Sequence, residues 1–320
     1  MDYISPAIRD DFAAVNRLVI ERLHSDVALV ESIGQYIVEG GGKRMRPLIT
    51  LLCARALGYA GTRHVELAAV IEFLHTATLL HDDVVDVSAL RRGRATANAN
   101  WGNAPSVLVG DFIYSRAFQV LVGIGDMQIL RLMSDTTNII AEGEVEQLAR
   151  AGDPDATEAQ YTQIIGKKTA VLFAAAAEGA AILAGAAPGT RAAMRDYGMN
   201  LGLAFQLIDD VLDYTGDPQA MGKNLGDDLA EGKPTLPLIH AIAHAAPAAA
   251  AAVRQAILGR DRDALADIVA SVQSCGALDY THRRAVHHRD LALAALNNVA
   301  DSAFRQNLET IARMAVDRAS

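Results

Sequence analysis

Cysteine is nearly absent from this 320-residue chain: Cys53 and Cys275 are the only two. Two are too few for a disulfide framework and point to a reducing compartment. Aromatic residues are scarce as well, 5% of the sequence, although 51% of it is hydrophobic. The core must therefore be aliphatic, and the chain is ample for burying it. Positive charge is in deficit, 29 Lys and Arg against 38 Asp and Glu for a net charge of −9, which argues against nucleic acid as a partner. Long apolar runs are missing too. The nearest, Ala170 to Pro188, is interrupted by Glu178 and dominated by small residues; it reads as a buried helix, with a re-entrant segment as the other reading. Met1 to Pro6 carries neither a basic flank nor an apolar run, so a signal peptide is not expected. The expectation is a cytoplasmic protein with no transmembrane segment. Sustained period-two alternation is also lacking, which predicts an all-α fold.

What the chain does contain is two DDxxD clusters in apolar frames, Leu79-Leu80-His81-Asp82-Asp83-Val84-Val85-Asp86 and Leu207-Ile208-Asp209-Asp210-Val211-Leu212-Asp213. On a helix, Asp82 and Asp86 are one turn apart and point the same way, as do Asp209 and Asp213. Like charges at that spacing repel, and carboxylates among Leu, Ile and Val need a partner. Ligation by carboxylates alone suggests a hard cation, Mg²⁺ or Mn²⁺, which keeps positions open for phosphate oxygens. For one such cluster, a solvated acidic helix face is an equal alternative; two in matching frames argue against it. If both serve one site, residues 82 to 213 belong to one domain, and the chain is expected to be a single domain, 1–320.

Basic residues are arranged to complement these acids. Gly40-Gly41-Gly42 is followed by Lys43-Arg44-Met45-Arg46-Pro47, where Pro47 suits the first turn of a helix whose free N–H groups, with Lys43 and Arg46, form an anion site. The GxxxxGK[ST] spacing of a Walker A loop is absent; a solvated basic turn is the plainer alternative. His75 shares a helical arc of roughly 100° with Ile71, Thr78, Leu79, Asp82 and Asp86. Arg91-Arg92-Gly93-Arg94 follows the first cluster at once, as expected for a ligand bridging metal and guanidinium, a diphosphate in particular, or for internal salt bridges. Lys167-Lys168-Thr169 precedes an alanine-rich stretch. Residues 215 to 237 are dense in Gly, Pro and Asp and read as a lid, which Lys223 and Lys233 would let close over phosphate.

Helical periodicity covers 9 to 38, Val65 to Asp86, Val107 to Leu121, Met127 to Arg150 and 191 to 214, with Thr157 and Gln160 spaced as a capping box. The remainder, Leu238 to Ser320, reads as amphipathic helix for packing or subunit contact.

Together, Gly41-Gly42-Lys43-Arg44-Met45-Arg46-Pro47, Leu80-His81-Asp82-Asp83-Val84-Val85-Asp86, Arg91-Arg92-Gly93 and Gln206-Leu207-Ile208-Asp209-Asp210-Val211-Leu212-Asp213 resemble the trans-isoprenyl diphosphate synthases, over nearly the whole chain. The runs Ile71 to Thr78 and Ser106 to Phe112 are most similar to bacterial long-chain, octaprenyl-forming members. The resemblance implies a helical bundle of the isoprenoid-synthase type around a deep central cavity, in a homodimer. It implies Mg²⁺ held by Asp82, Asp83, Asp86, Asp209 and Asp213 against an allylic diphosphate such as farnesyl diphosphate. Lys43, Arg46, His75 and Arg92 would bind isopentenyl diphosphate, and Arg91, Lys168, Thr169 and Gln206 the allylic substrate. Lys223 and Lys233 would neutralise the leaving diphosphate. The product would supply quinone side-chain biosynthesis.

In short-chain relatives, aromatics four and five positions before the first aspartate block the cavity; here those positions are Thr78 and Ala77, both small, so elongation is expected to continue. On an ideal helix Ala77 points about 140° from Asp82, so its effect would need a distortion or a neighbour's help. Met133 and Thr137 are candidates for the tunnel floor. The alternatives are a farnesyl- or geranylgeranyl-forming enzyme, a terpene cyclase, or a non-catalytic subunit of a heteromeric prenyltransferase. A cyclase would not need a second diphosphate site, and a non-catalytic subunit should have lost metal ligands.

Overall fold

The computed structural model describes residues 6–42, 44–216, 225–261 and 263–318. Almost all of them are helical, and they sort into two compact units. The first comprises Met1–Thr137, Leu172–Gly198 and Ala295–Ile311; the second comprises Asn138–Val171, Met199–Ala294 and Ala312–Ser320.

The first unit begins with α1 (Pro6–Leu23) and α2 (Ala28–Glu39), so the periodic stretch 9 to 38 is two helices. The break falls where the Ser25 hydroxyl accepts the Val27 N–H and His24 pairs with Glu31. Next come α3 (Met45–Ala56) and α4 (Arg63–Val85), the latter ending at the first aspartate cluster. After it, Leu90–Arg91 (β1) and Arg94–Ala95 (β2) pair antiparallel, a two-residue ladder in an all-α fold. The two-residue loop between them is Arg92-Gly93, both with positive φ, 55° and 73°. That is the backbone hand a tight hairpin favours, and it turns the basic run into a rigid corner. The Tyr36 hydroxyl donates to the Ala95 carbonyl at 2.6 Å, and Arg94 stacks on the Tyr36 ring, fixing the hairpin to α2.

Beyond α5 (Ala97–Trp101), α6 (Asn103–Ile124) packs on α4 and buries Val109, Ile113, Ala117 and Leu121. Among the described residues, α6 is the one helix long and apolar enough to cross a membrane, rather than Ala170 to Pro188. The Ser106 hydroxyl donates to the Leu80 carbonyl at 3.1 Å, tying α6 to the turn before Asp82.

Helix α7 runs from Met127 to Arg150, the limits that periodicity gives. The capping box of α8 (Glu158–Ile165) forms as expected: the Gln160 N–H donates to the Thr157 hydroxyl, and the Thr157 N–H to the Gln160 side chain. Helix α8 then passes through one π-helical turn, Gly166–Ala170, into α9 (Val171–Leu183). Helix α10 (Pro188–Thr215) carries the second aspartate cluster and starts on Pro188, ahead of the periodic stretch 191 to 214, since proline is tolerated in a first turn. After a short α11 (Asp227–Ala230) come α12 (Leu236–His244), α13 (Pro247–Gly259), α14 (Leu265–Ser274), α15 (Ala277–Ala295) and α16 (Ala303–Asp317).

Candidate functional site

In the first unit, Asp82 and Asp86 lie one turn apart and half-buried, joined by a 2.8 Å hydrogen bond from the Asp86 N–H to the Asp82 carbonyl. Asp83, between them, faces inward. Its Oδ1 accepts from both Nε and Nη2 of Arg91 at 2.7 Å. Burial pushes the Asp83 carboxyl up, and Arg91 pulls the other way. Arg91 is thus held by the cluster it follows.

A basic pocket occupies the same unit. Arg46 Nη1 donates to His75 Nε2 at 3.2 Å, and the Arg46 guanidinium lies 4.3 Å from the centre of the Phe173 ring. An arginine has only donors, so His75 must accept here. Burial first, then Arg46, Arg92 and Arg91, drive the His75 pKa well below its ordinary value; the ring is neutral at physiological pH. Arg92 donates to the Gly41 carbonyl, and its guanidinium lies against Gly42, where a Cβ would come within 2.6 Å of it. With φ at 147°, Gly42 is needed both for conformation and for room. Glu72 balances the pocket: burial raises its pKa while Arg44, Arg46 and Arg92 lower it. Neither Glu72 nor Arg44 is singled out by the sequence motifs. Lys43 and Lys223 lie outside the described residues.

The second unit gathers most of the other expected residues around one cavity. Lys168, Thr169, Gln206 and Lys233 all line a space of about 100 Å³. Lys168 Nζ donates to Glu144 at 2.5 Å and to Gln147 at 2.9 Å, both on α7. The Thr169 hydroxyl donates to the Gln206 side-chain oxygen at 3.1 Å. The π turn that carries Lys168 and Thr169 fits because α7 has glycine opposite: a Cβ on Gly143 would lie 2.8 Å from Lys167 Cβ and 2.9 Å from the Lys168 N. Lys233 pairs with Glu231 and donates its N–H to the Asp228 carbonyl.

The cavity is also lined by Asp210 of the second cluster and by Arg150, Tyr161, Asp228 and Thr235, which no motif marks. Asp210 is fully enclosed: Tyr161 donates to one oxygen at 2.5 Å and Gln206 to the other at 3.0 Å. Burial and the neighbouring Asp228 raise its pKa well above the carboxylate range. Asp209 is more open and sits 2.7 Å from the Arg318 guanidinium. Asp213 is buried and accepts the Asp228 N–H at 3.3 Å.

Among the described residues, no three Asp, Glu, His or Cys side chains converge into a ready-made metal cage. The donor set nevertheless fits Mg²⁺, which binds through one or two carboxylates, keeps waters and takes other ligands from phosphate oxygens.

Residues 27–274 match the polyprenyl synthetase family profile. The chain belongs to that family. It is 52% identical over 319 residues to octaprenyl diphosphate synthase of Escherichia coli, covering 99% of each chain. It is 50% identical over 318 residues to a geranyl-diphosphate-specific all-trans-nonaprenyl-diphosphate synthase of Rhodobacter capsulatus, covering 99% of this chain and 97% of that one. A crystal structure of a Caulobacter crescentus polyprenyl synthase complexed with calcium and isoprenyl diphosphate superposes with a TM-score of 0.97. It is 45% identical, over 100% of this chain and 98% of that one. The fold is the isoprenoid-synthase helical fold, and the chain is a long-chain trans-prenyltransferase, of a family that needs a divalent metal.

Proposed function

We propose that the chain condenses isopentenyl diphosphate head-to-tail onto farnesyl diphosphate or a similar allylic primer, and extends it to octaprenyl diphosphate for a quinone side chain. The observation that carries this reading is the convergence of Lys168, Thr169, Gln206 and Lys233 on one cavity. Two partly buried cationic side chains with two hydrogen-bonding neighbours are suited to a diphosphate.

Bound Mg²⁺ or Mn²⁺ supplies Lewis-acid charge for the leaving diphosphate. Asp82, Asp86 and Asp209 would hold it, with Asp213 and, on release from Arg91, Asp83 as further ligands. Lys168, Lys223 and Lys233 stabilise charge on the departing oxygens, while Arg91, Thr169 and Gln206 orient the allylic diphosphate. Lys43, Arg46, His75 and Arg92 hold isopentenyl diphosphate. Neutral and accepting, His75 orients the Arg46 guanidinium. The allylic C–O bond breaks with its electron pair leaving on diphosphate, the isopentenyl double bond attacks the cation, and proton loss restores an alkene. An aliphatic surround keeps water from the cation.

The family profile runs through both compact units, which supports treating residues 1–320 as one domain. Exposed Leu108 and Val122 on α6 support a homodimer. We assign the chain to the cytoplasm.

The test is turnover of labelled isopentenyl diphosphate by Asp82→Ala and Asp209→Ala proteins. Each should lose about a hundredfold or more in kcat; wild-type rates would overturn the metal assignment.

A further inference from the structure

Arg318 lies one residue past α16, and its side chain folds back onto α10 within the second unit. Its Nη2 donates to the Phe205 carbonyl at 2.5 Å and stands 2.7 Å from Asp209 Oδ1. Nε donates to the Ala315 carbonyl at 3.2 Å, and the guanidinium carbon sits 3.8 Å from the centre of the Phe205 ring. The side chain is 14% exposed. Four contacts of different kinds fix one guanidinium on one carboxylate, and none of them requires Asp209 to serve a metal.

We propose that Arg318 is a latch on the second aspartate cluster: it positions Asp209 through Oδ1, and cation binding at Asp209 releases it. The proposal rests on the reading of Asp209 as a metal ligand. A divalent cation and a guanidinium on the same carboxylate repel each other, and water screens such a partly buried pair less than a surface one. Binding of either therefore weakens the other by the same factor. Arg318 is a positioning residue, since it touches a ligand rather than the reacting atoms.

The test uses the full chain and Mn²⁺ alone, with free Mn²⁺ followed by electron paramagnetic resonance. Arg318→Gln removes the guanidinium and its charge and leaves a polar amide. It should bind Mn²⁺ on the order of tenfold more tightly, while Arg318→Lys, which keeps the charge, stays near wild type. Unchanged or weaker Mn²⁺ binding by Arg318→Gln overturns the latch. Asp209→Asn separates the two failures. If it loses Mn²⁺ while Arg318→Gln is unchanged, the latch alone is wrong; if it binds Mn²⁺ as wild type does, the metal reading beneath it is wrong.

Discussion

Tyr161 donates its hydroxyl to Asp210 Oδ2 at 2.5 Å, and this bond, with Gln206 on the other oxygen, takes Asp210 out of the solvent-facing acidic set. Of the paired aspartates that open the second cluster, one faces the open side of α10 and the other is a buried bracket between α8 and α10. Removing the hydroxyl leaves a buried acceptor short of its donor, which costs about 1–3 kcal/mol. Tyr161→Phe should therefore lower unfolding stability by that amount in urea titration. Gln206 shares Asp210, so kcat/KM for the allylic substrate should fall with it. Unchanged stability would mean that Asp210 finds another donor.

Gly143 permits the π turn that presents Lys168. A methyl there meets backbone, which has little freedom to give way, so Gly143→Ala should cost about 1–3 kcal/mol through overpacking. The displaced Lys168 should appear as a raised KM for the allylic diphosphate with KM for isopentenyl diphosphate unchanged. Equal changes in both would point to general loosening.

His75 has a pKa depressed well below its ordinary value by burial and by Arg46 and Arg92. A depressed pKa means that the neutral, accepting form is present at and above neutral pH and is lost only as pH falls below the usual imidazole range. The ratio of kcat/KM for isopentenyl diphosphate between wild type and His75→Gln should therefore stay flat from about pH 6.5 upward. A ratio that titrates near neutrality would mean that His75 works as the imidazolium.

His288 offers a pH test of stability away from the chemistry. Its Nδ1 is 2.9 Å from the Asn200 side-chain oxygen, and burial, with Arg284 and His287 nearby, lowers its pKa from 6.5 to about 4. The unfolded chain binds the proton more readily, so the stability contribution is complete above about pH 6.5 and is lost as pH falls towards 4. Discounted for the partial exposure of the ring, the loss is about 1–2 kcal/mol. His288→Gln should flatten the wild-type slope in that window by this amount, as read by denaturant midpoints at stepped pH.

The long helices were legible because their signals are local. The 3.6-residue apolar period delimits α7 to the residue, and the Thr157–Gln160 box marks where α8 begins. What escaped depends on tertiary partners. Two-residue strands are too short to alternate, so the Arg91–Arg94 hairpin could not be read as sheet; Arg92-Gly93 at its corner was the available clue. The π turn at Gly166–Ala170 follows from the close approach of Gly143, more than twenty positions earlier in the chain. The candidate site divides in the same way. Lys168, Thr169, Gln206 and Lys233 stand out because they fall near recognisable motifs, yet their shared cavity also takes Arg150, Tyr161 and Thr235, for which spacing provides no sign. Asp83 and Asp210 sit inside motifs whose repetition suggests equivalence, and only the fold separates them from their neighbours by pairing one with Arg91 and the other with Tyr161.

Product length tests the central claim most directly. Ala77 is fully buried and Thr78 half-buried on α4, and neither places a bulky ring ahead of the first cluster. Purified protein with Mg²⁺, farnesyl diphosphate and labelled isopentenyl diphosphate should give, after dephosphorylation, a ladder of prenyl alcohols ending at octaprenol. A ladder that stops at geranylgeraniol, or no extension at all, would contradict it.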